Sequence, residues 1–213
     1  MTDTITLGYL KIRGLGQVAR LLLAYTGLEW KDVQYATGDE FVKTDRKELG
    51  LSFPNLPYLV DGDFKVTESK AISQYIIKRS GKVELLGKNL RDQTLVECLL
   101  GVLQDTSLPI FSLFRDKTAK VEPAVEKSTP KLEQLAAFYG EKDFALGYLT
   151  LADFAINEFA YYLEKTSPET FEKFGFLKRL RAAFEGLPEI KKYYEQESAL
   201  KGPFLPSFAA IPF

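Results

Sequence analysis

Apolar positions follow two regimes along the chain, and the change falls between residues 81 and 89. In the first regime, short alternating runs are interleaved with one-sided helical periods. Ile5, Leu7 and Tyr9 alternate as a half-buried strand does. From Gln17 to Tyr25, the residues Val18, Leu21, Leu22 and Tyr25 share one face and Gly27 supplies a stop, which predicts a helix. Trp30, Val33 and Tyr35 suggest a second strand. Tyr58 to Val60 and Phe64 to Val66 flank an Asp61-Gly62 turn, so they read as an antiparallel hairpin. Thr67 is expected to cap a helix that reaches about Arg79 and ends at Gly81.

Beyond a linker at 82–89 the pattern is helical almost throughout. Leu90 to about Leu113 reads as a long helix, expected to bend at Pro109. Another runs from about Pro123 to Phe138. Thr150-Leu151-Ala152-Asp153 has the spacing of a capping box and opens an apolar helix to about Leu163. Ser167-Pro168 starts a further helical region, and Pro188 to about Ser198 is the last. The tail after Gly202 is expected to be irregular. The order β-α-β, loop, β-β-α is thioredoxin-like. The predicted fold is therefore an α/β N-terminal thioredoxin-like domain at 1–81, the linker, and an all-α helical domain at 90–213.

Composition narrows the chemistry more than the fold. In 213 residues, 46% hydrophobic and 27% charged, the net charge is −1, which gives no electrostatic reason to expect nucleic acid or anionic lipid. No apolar run is expected to approach membrane-spanning length, and Met1-Thr2-Asp3 starts no signal peptide, so a cytoplasmic protein without membrane insertion is expected. A single cysteine, Cys98, excludes an internal disulfide framework and suits a reducing compartment. Its apolar neighbours Val96, Leu99, Leu100 and Val102 read as core, so Cys98 is expected to be buried. The absence of histidine removes Ser-His and Cys-His nucleophile pairs and most zinc sites, and no metal is expected.

The segment Phe53-Pro54-Asn55-Leu56-Pro57-Tyr58-Leu59-Val60-Asp61-Gly62 is the most informative in the chain. Proline has no backbone donor, so Pro57 must begin a strand or lie on an edge. A cis Leu56-Pro57 bond is accessible at such a position and would leave the Leu56 amide and carbonyl free for an extended ligand backbone. Glu68-Ser69 opens the next helix, whose free N–H groups suit a carboxylate. Together these describe a site for a small peptide with a free carboxyl group.

At this point the chain resembles a cytosolic glutathione transferase, most similar to the mu class. The resemblance rests on Leu7-Gly8-Tyr9-Leu10-Lys11-Ile12-Arg13-Gly14-Leu15, on Phe53 to Gly62, and on Phe184-Glu185-Gly186-Leu187. It implies conjugation of reduced glutathione to small hydrophobic electrophiles, with glutathione as co-substrate and a homodimer as the assembly. Tyr9 would be catalytic, its hydroxyl donating to the glutathione sulfur. Leu56, beside a cis Pro57, would pair with the cysteinyl backbone, and Glu68 and Ser69 would hold the γ-glutamyl end. Leu10, Leu15 and Asn55 are assigned to the same ligand. A family tryptophan falls on Phe41 or Val42, and a family lysine on Arg46 or Lys47, as partners of the glycine carboxylate. Asp105 is the nearest candidate for an acidic residue donated by the partner subunit. The electrophile would meet Leu10, Leu15, Phe111 and Phe114. Phe53 would anchor the dimer in the partner's helical domain.

Rival readings stand beside these. Tyr9 is one of 11 tyrosines, and a strand-end tyrosine is commonly packing. Gly14-Leu15-Gly16-Gln17-Val18-Ala19 matches a dinucleotide fingerprint, yet four residues separate it from the first strand and the later strands form a hairpin. Thiol-disulfide exchange is disfavoured, since no cysteine precedes the first helix. A glutathione-binding structural or ligand-carrying relative without turnover, and a glutathione-dependent isomerase, are the alternatives. Magnitudes bear on the mechanism. A thiol of pKa about 8.5 is only ~3% thiolate at pH 7, and lowering it by about two units gives ~75%. Nucleophilicity falls about eightfold with a Brønsted slope of ~0.45, so the roughly 25-fold gain shrinks to about threefold. Most of the rate must come from holding the electrophile against the sulfur.

Overall fold

The computed structural model describes residues 4–113, 118, 120–196, 198–199 and 202–204. Two compact units emerge. The first comprises the described residues of Met1–Lys82 and Glu189–Pro206, and the second those of Val83–Pro188.

The first unit is built on a four-stranded sheet of order β2-β1-β3-β4. Strand β1 (Ile5–Leu10) runs parallel to β2 (Trp30–Tyr35), with Ile5 opposite Trp30. The Asp61-Gly62 turn joins β3 (Tyr58–Asp61) to β4 (Phe64–Thr67), and β3 is antiparallel to β1. Helix α1 (Gln17–Thr26) stops at Gly27 and α3 (Ser69–Ser80) stops at Gly81, both glycines in the left-handed conformation. The two helices pack on each other, and Leu21, Leu22, Leu23, Ile72, Ile76 and Ile77 are buried. A further short helix, α2 (Gly38–Thr44), lies in what the sequence reads as loop. Thr37 caps it by accepting from the Glu40 amide.

The expected Thr67 cap is corrected. Thr67 is buried and still pairs with Tyr58 in the ladder, so it belongs to the strand and not to the helix start. Glu68 stands at the N-cap instead, with φ 72° and ψ 112°.

In the second unit, α4 (Leu90–Ser112) is capped by Asn89 and packs against α5 (Val121–Tyr139) and α6 (Leu151–Thr166). It runs through Pro109, whose missing N–H leaves the Asp105 carbonyl without its usual intrahelical donor. By length and composition alone α4 is apolar enough to cross a membrane, contrary to the expectation from the sequence. Here it serves as a packed helix, with Val96, Leu99, Leu103 and Ile110 buried. That same helical phase turns Cys98 outward. The cysteine is exposed, which corrects its expected burial. Helices α7 (Pro168–Lys173) and α8 (Gly175–Glu185) follow, with α7 starting on its proline as expected.

The last helix, α9 (Pro188–Tyr194), is shorter than the sequence suggests. From Glu189 on, this helix and the described residues after it group with the first unit rather than with the helices before them. The Arg13 amide donates to the Pro203 carbonyl at 2.9 Å and the Gly14 amide to the Phe204 carbonyl at 3.0 Å.

Candidate active site

Tyr9 is the next-to-last residue of β1 and is 7% exposed. A 3-10 turn, Gly14–Gly16, wraps its ring. A Cβ added at Gly16 would lie 2.5 Å from Tyr9 Cδ1, and one at Gly14, where φ is +36°, would lie 2.8 Å from the phenol oxygen. The two glycines therefore let the backbone close on the tyrosine, which is the use of the motif that imitates a dinucleotide fingerprint. The Leu15 amide donates to the Tyr9 hydroxyl at 3.1 Å. This occupies an oxygen lone pair and leaves the phenol proton to be donated elsewhere. Beneath the ring, the Arg20 guanidinium lies 5.8 Å from its centroid. Arg20 is fully buried, pairs with Asp32 at 2.9 Å, and donates to the carbonyls of Ile12 at 2.7 Å and Leu10 at 3.2 Å. It thus fixes both backbone segments around Tyr9. Burial pushes the Tyr9 pKa up, against the smaller opposing effects of the Leu15 amide and the Arg20 charge. The phenol stays protonated at neutral pH and can act as a donor.

The Leu56–Pro57 bond is cis, as is Gly202–Pro203. Leu56 precedes the paired part of β3, which starts at Tyr58, and its side chain packs on the cluster of Tyr35, Phe41, Leu51 and Tyr58. Asn55 is exposed beside it. At the start of α3, Glu68 is exposed and is a non-glycine residue of positive φ, a conformation costing on the order of 1–3 kcal/mol. Ser69 is the first helical residue and is half-buried.

Near α2 the structure separates the paired candidates. Phe41 is buried, stacked on Tyr58 with ring centroids 6.0 Å apart and edge-on to Tyr35 at 5.4 Å. Its ring belongs to the core cluster with Tyr35, Leu51 and Tyr58. Val42 instead lines an open cavity of about 440 Å³ with Arg46, Lys47, Gly50, Leu51 and Pro54. Arg46 and Lys47 are both exposed there. The Tyr35 hydroxyl holds α2 by bonding Asp45, and it shares a 2.8 Å bond with the Tyr58 hydroxyl.

The other assigned residues are placed as follows. Leu15 is 57% exposed and adjoins the Tyr9 hydroxyl through its own amide. Leu10 is half-buried against the Tyr35 cluster. Asp105 is exposed on α4, 3.8 Å from Lys131 Nζ. Phe111 packs within the second unit, its ring 5.4 Å from that of Tyr162. Phe114 lies outside the described residues. Phe53 is 77% exposed. Among the described residues, no group of three or more His, Cys, Asp and Glu is placed to hold a metal ion. The sequence reading missed Arg20 and Asp32, whose helix and strand positions look like ordinary surface charges. An arginine inside the apolar run Ala19, Leu21, Leu22 and Leu23 was the available signal.

A sheet of this order followed by a helical region defines a thioredoxin-like domain joined to an all-α part, with a buried tyrosine at the end of its first strand. Residues 5–78 match the family model "Glutathione S-transferase, N-terminal domain", and residues 104–197 match "Glutathione S-transferase, C-terminal domain". The chain is 34% identical to a glutathione S-transferase of Tyrophagus putrescentiae, over 95% of this chain and 96% of that one. It is 33% identical to glutathione S-transferase Mu 1 of Bos taurus over the same shares. The solved glutathione S-transferase Blo t 8 superposes with a TM-score of 0.81 at 28% identity, covering 98% of this chain and all of that one. The chain belongs to the glutathione S-transferase family. It is a transferase with glutathione as its co-substrate.

Proposed function

We propose that the chain conjugates glutathione to small hydrophobic electrophiles and that Tyr9 stabilises the thiolate. The observation that carries this reading is the Tyr9 hydroxyl. It is buried, kept protonated, and accepts from Leu15, which supports a proton available for donation to a ligand. Donated to sulfur, that proton favours the anion. The glutathione sulfur then attacks the electrophilic carbon. A carbon–sulfur bond forms, the bond to the leaving group breaks with its electron pair, and the thiol proton has already passed to solvent.

Domain 1–81 binds glutathione in this reading, and the helical domain 90–213 contributes to the electrophile site. The Leu56 backbone pairs with the cysteinyl part of the tripeptide. The start of α3 takes the γ-glutamyl end through Ser69 and Glu68, which the unusual Glu68 backbone supports. Arg46 or Lys47 takes the glycine carboxylate from the cavity lined by Val42. Leu15 offers an apolar wall beside the sulfur. The protein acts in the cytoplasm as a homodimer, with Phe53 as its anchor and Asp105 reaching the partner's γ-glutamyl amine. The exposure of Phe53 supports the anchor, since full burial of such a ring contributes roughly 1.5–3 kcal/mol per copy.

Tyr9→Phe tests the mechanism with reduced glutathione and a chromogenic aryl halide. Glutathione affinity should change little. The acid limb of kcat/KM should move up by about two units, toward the free-thiol value of about 8.5. An unmoved limb would remove Tyr9 from the chemistry, and no turnover in the parent protein would favour a binding protein. For assembly, Phe53→Ser should yield a folded monomer of reduced activity in sedimentation. A dimer as tight as the parent's would reject the anchor.

A further inference from the structure

We propose that Pro203 and Phe204 are positioning residues for the reaction, a C-terminal strap that holds the turn bearing on Tyr9. The inference rests on the reading of Tyr9 as donor to the sulfur. Three consecutive amides leave the loop after β1, and each has a separate task. Arg13 N–H donates to the Pro203 carbonyl at 2.9 Å, Gly14 N–H to the Phe204 carbonyl at 3.0 Å, and Leu15 N–H to the Tyr9 hydroxyl at 3.1 Å. The first two bonds therefore set the position of the third donor.

The turn needs such a restraint. Gly14 sits at φ +36°, in the left-handed region, and glycine leaves many other conformations open to it. The turn is also short, a single 3-10 turn between strand and helix. The strap is anchored by more than its two carbonyls. The Phe204 side chain is buried, and Arg13 Nη2 donates to the Tyr194 hydroxyl at 3.1 Å, with the guanidinium 5.8 Å from the Tyr194 ring. Upstream, Gln34 reaches the Ser198 carbonyl at 3.5 Å while also donating to Asp32, the partner of Arg20, at 2.7 Å. The segment from α9 to Phe204 is thus fastened to both sides of the Tyr9 surroundings.

The consequence is electrostatic. With the Leu15 amide fixed, the phenol oxygen is occupied as an acceptor and its proton is committed outward. With the turn released, the hydroxyl can reorient and the bound thiol loses part of its stabilisation. A misplacement of about 1 Å at a reacting group can cost up to about 100-fold in rate.

Two truncations separate the strap from the rest of the tail. A chain ending at Leu205 keeps both carbonyls as peptide groups; a chain ending at Lys201 loses them. We expect the first to retain the parent's acid limb of kcat/KM and its slow hydrogen exchange at the amides of residues 13 to 15. The second should exchange these amides faster and shift the limb upward, toward about 8.5, while still unfolding in a cooperative transition. Equal losses in the two truncations would place the effect beyond Leu205 and overturn the strap. Tyr9→Phe is measured alongside. If it leaves the limb unmoved, the role of Tyr9 falls, and the exchange data still decide whether the strap holds the turn. If it moves the limb and the Lys201 truncation does not, the strap is overturned. Should the shorter chain fail to fold, Phe204→Ala in the full chain carries the test, and an unmoved limb with protected amides rejects the proposal.

Discussion

Two buried polar centres, one in each unit, use similar groups to different ends. In the second unit, Asp153 at the start of α6 is fully enclosed. It accepts from the Tyr139 hydroxyl at 2.9 Å and, at 2.8 Å each, from the Ala145 amide, the Thr150 amide and the Thr150 hydroxyl. Burial pushes its pKa up, and the four donors oppose that shift. Every neighbour it could serve is served within the protein. In the first unit, Tyr9 is nearly as buried, yet its hydroxyl accepts one bond and retains a proton to give. The backbone near the proposed ligand also carries strain, at Glu68. A closed polar network specifies structure. A buried group with one unspent valence, in a unit that also holds backbone in a costly conformation, points to a site.

Breaking the closed network should have the largest effect. Asp153→Ala leaves the Ala145 and Thr150 amides and the Tyr139 hydroxyl without their acceptor, and each unsatisfied buried donor costs about 1–3 kcal/mol. The losses are not additive, but a destabilisation of roughly 3–5 kcal/mol is expected from urea unfolding. A loss under about 1 kcal/mol would mean that water replaces the carboxylate and that the network is not closed. Glu68→Gly should act in the opposite sense on stability. Glycine adopts a φ of 72° without penalty, so stability should rise by about 1 kcal/mol after allowing for the freer unfolded chain. Glutathione affinity should weaken at the same time, as measured by calorimetry. A variant with unchanged affinity would detach the strained backbone from ligand binding.

The capping box of the closed centre was legible in the sequence, whereas its Tyr139 and Ala145 donors and most of the open centre were not. Thr150 and Asp153 stand at the spacing of a capping box, because that motif is made within four consecutive residues. The β1 strand, the hairpin and the stops at Gly27 and Gly81 are local in the same sense. Tyr9 and Leu56-Pro57 emerged from short motifs. What surrounds Tyr9 did not, because it is assembled from distant positions. Arg20 comes from α1, Asp32 from β2, and the carbonyls of Pro203 and Phe204 from the far end of the chain. Phe41 and Val42 are neighbours in sequence, and a helix turn decides that Phe41 enters the core while Val42 lines the cavity. Local propensity cannot choose between them. The Cys98 error has the same origin, since apolar neighbours in sequence lie on a different face once α4 is wound.

The smallest effect concerns alkaline stability, and it tests what the two centres share. The phenols of Tyr139 and Tyr9 both have pKa values raised above the ordinary 10.0, burial being the leading cause in each. For Tyr139 the Asp153 charge adds to the rise. In the unfolded chain a tyrosine ionises near pH 10. Above that pH the unfolded state releases a proton that the folded state still holds, so fewer protons are bound when unfolded and stability falls as pH rises. The contribution of each buried phenol is therefore present in full below about pH 10 and is lost above it, at up to ~1.4 kcal/mol per pH unit. Tyr139→Phe should be less stable at neutral pH, where it leaves Asp153 one donor short. It should nonetheless show a shallower decline above pH 10 than the parent, and Tyr9→Phe should show a similar flattening with little neutral cost. Parallel declines in the parent and Tyr139→Phe would mean that this phenol ionises as readily folded as unfolded, and the enclosure of the Asp153 network would have to be abandoned.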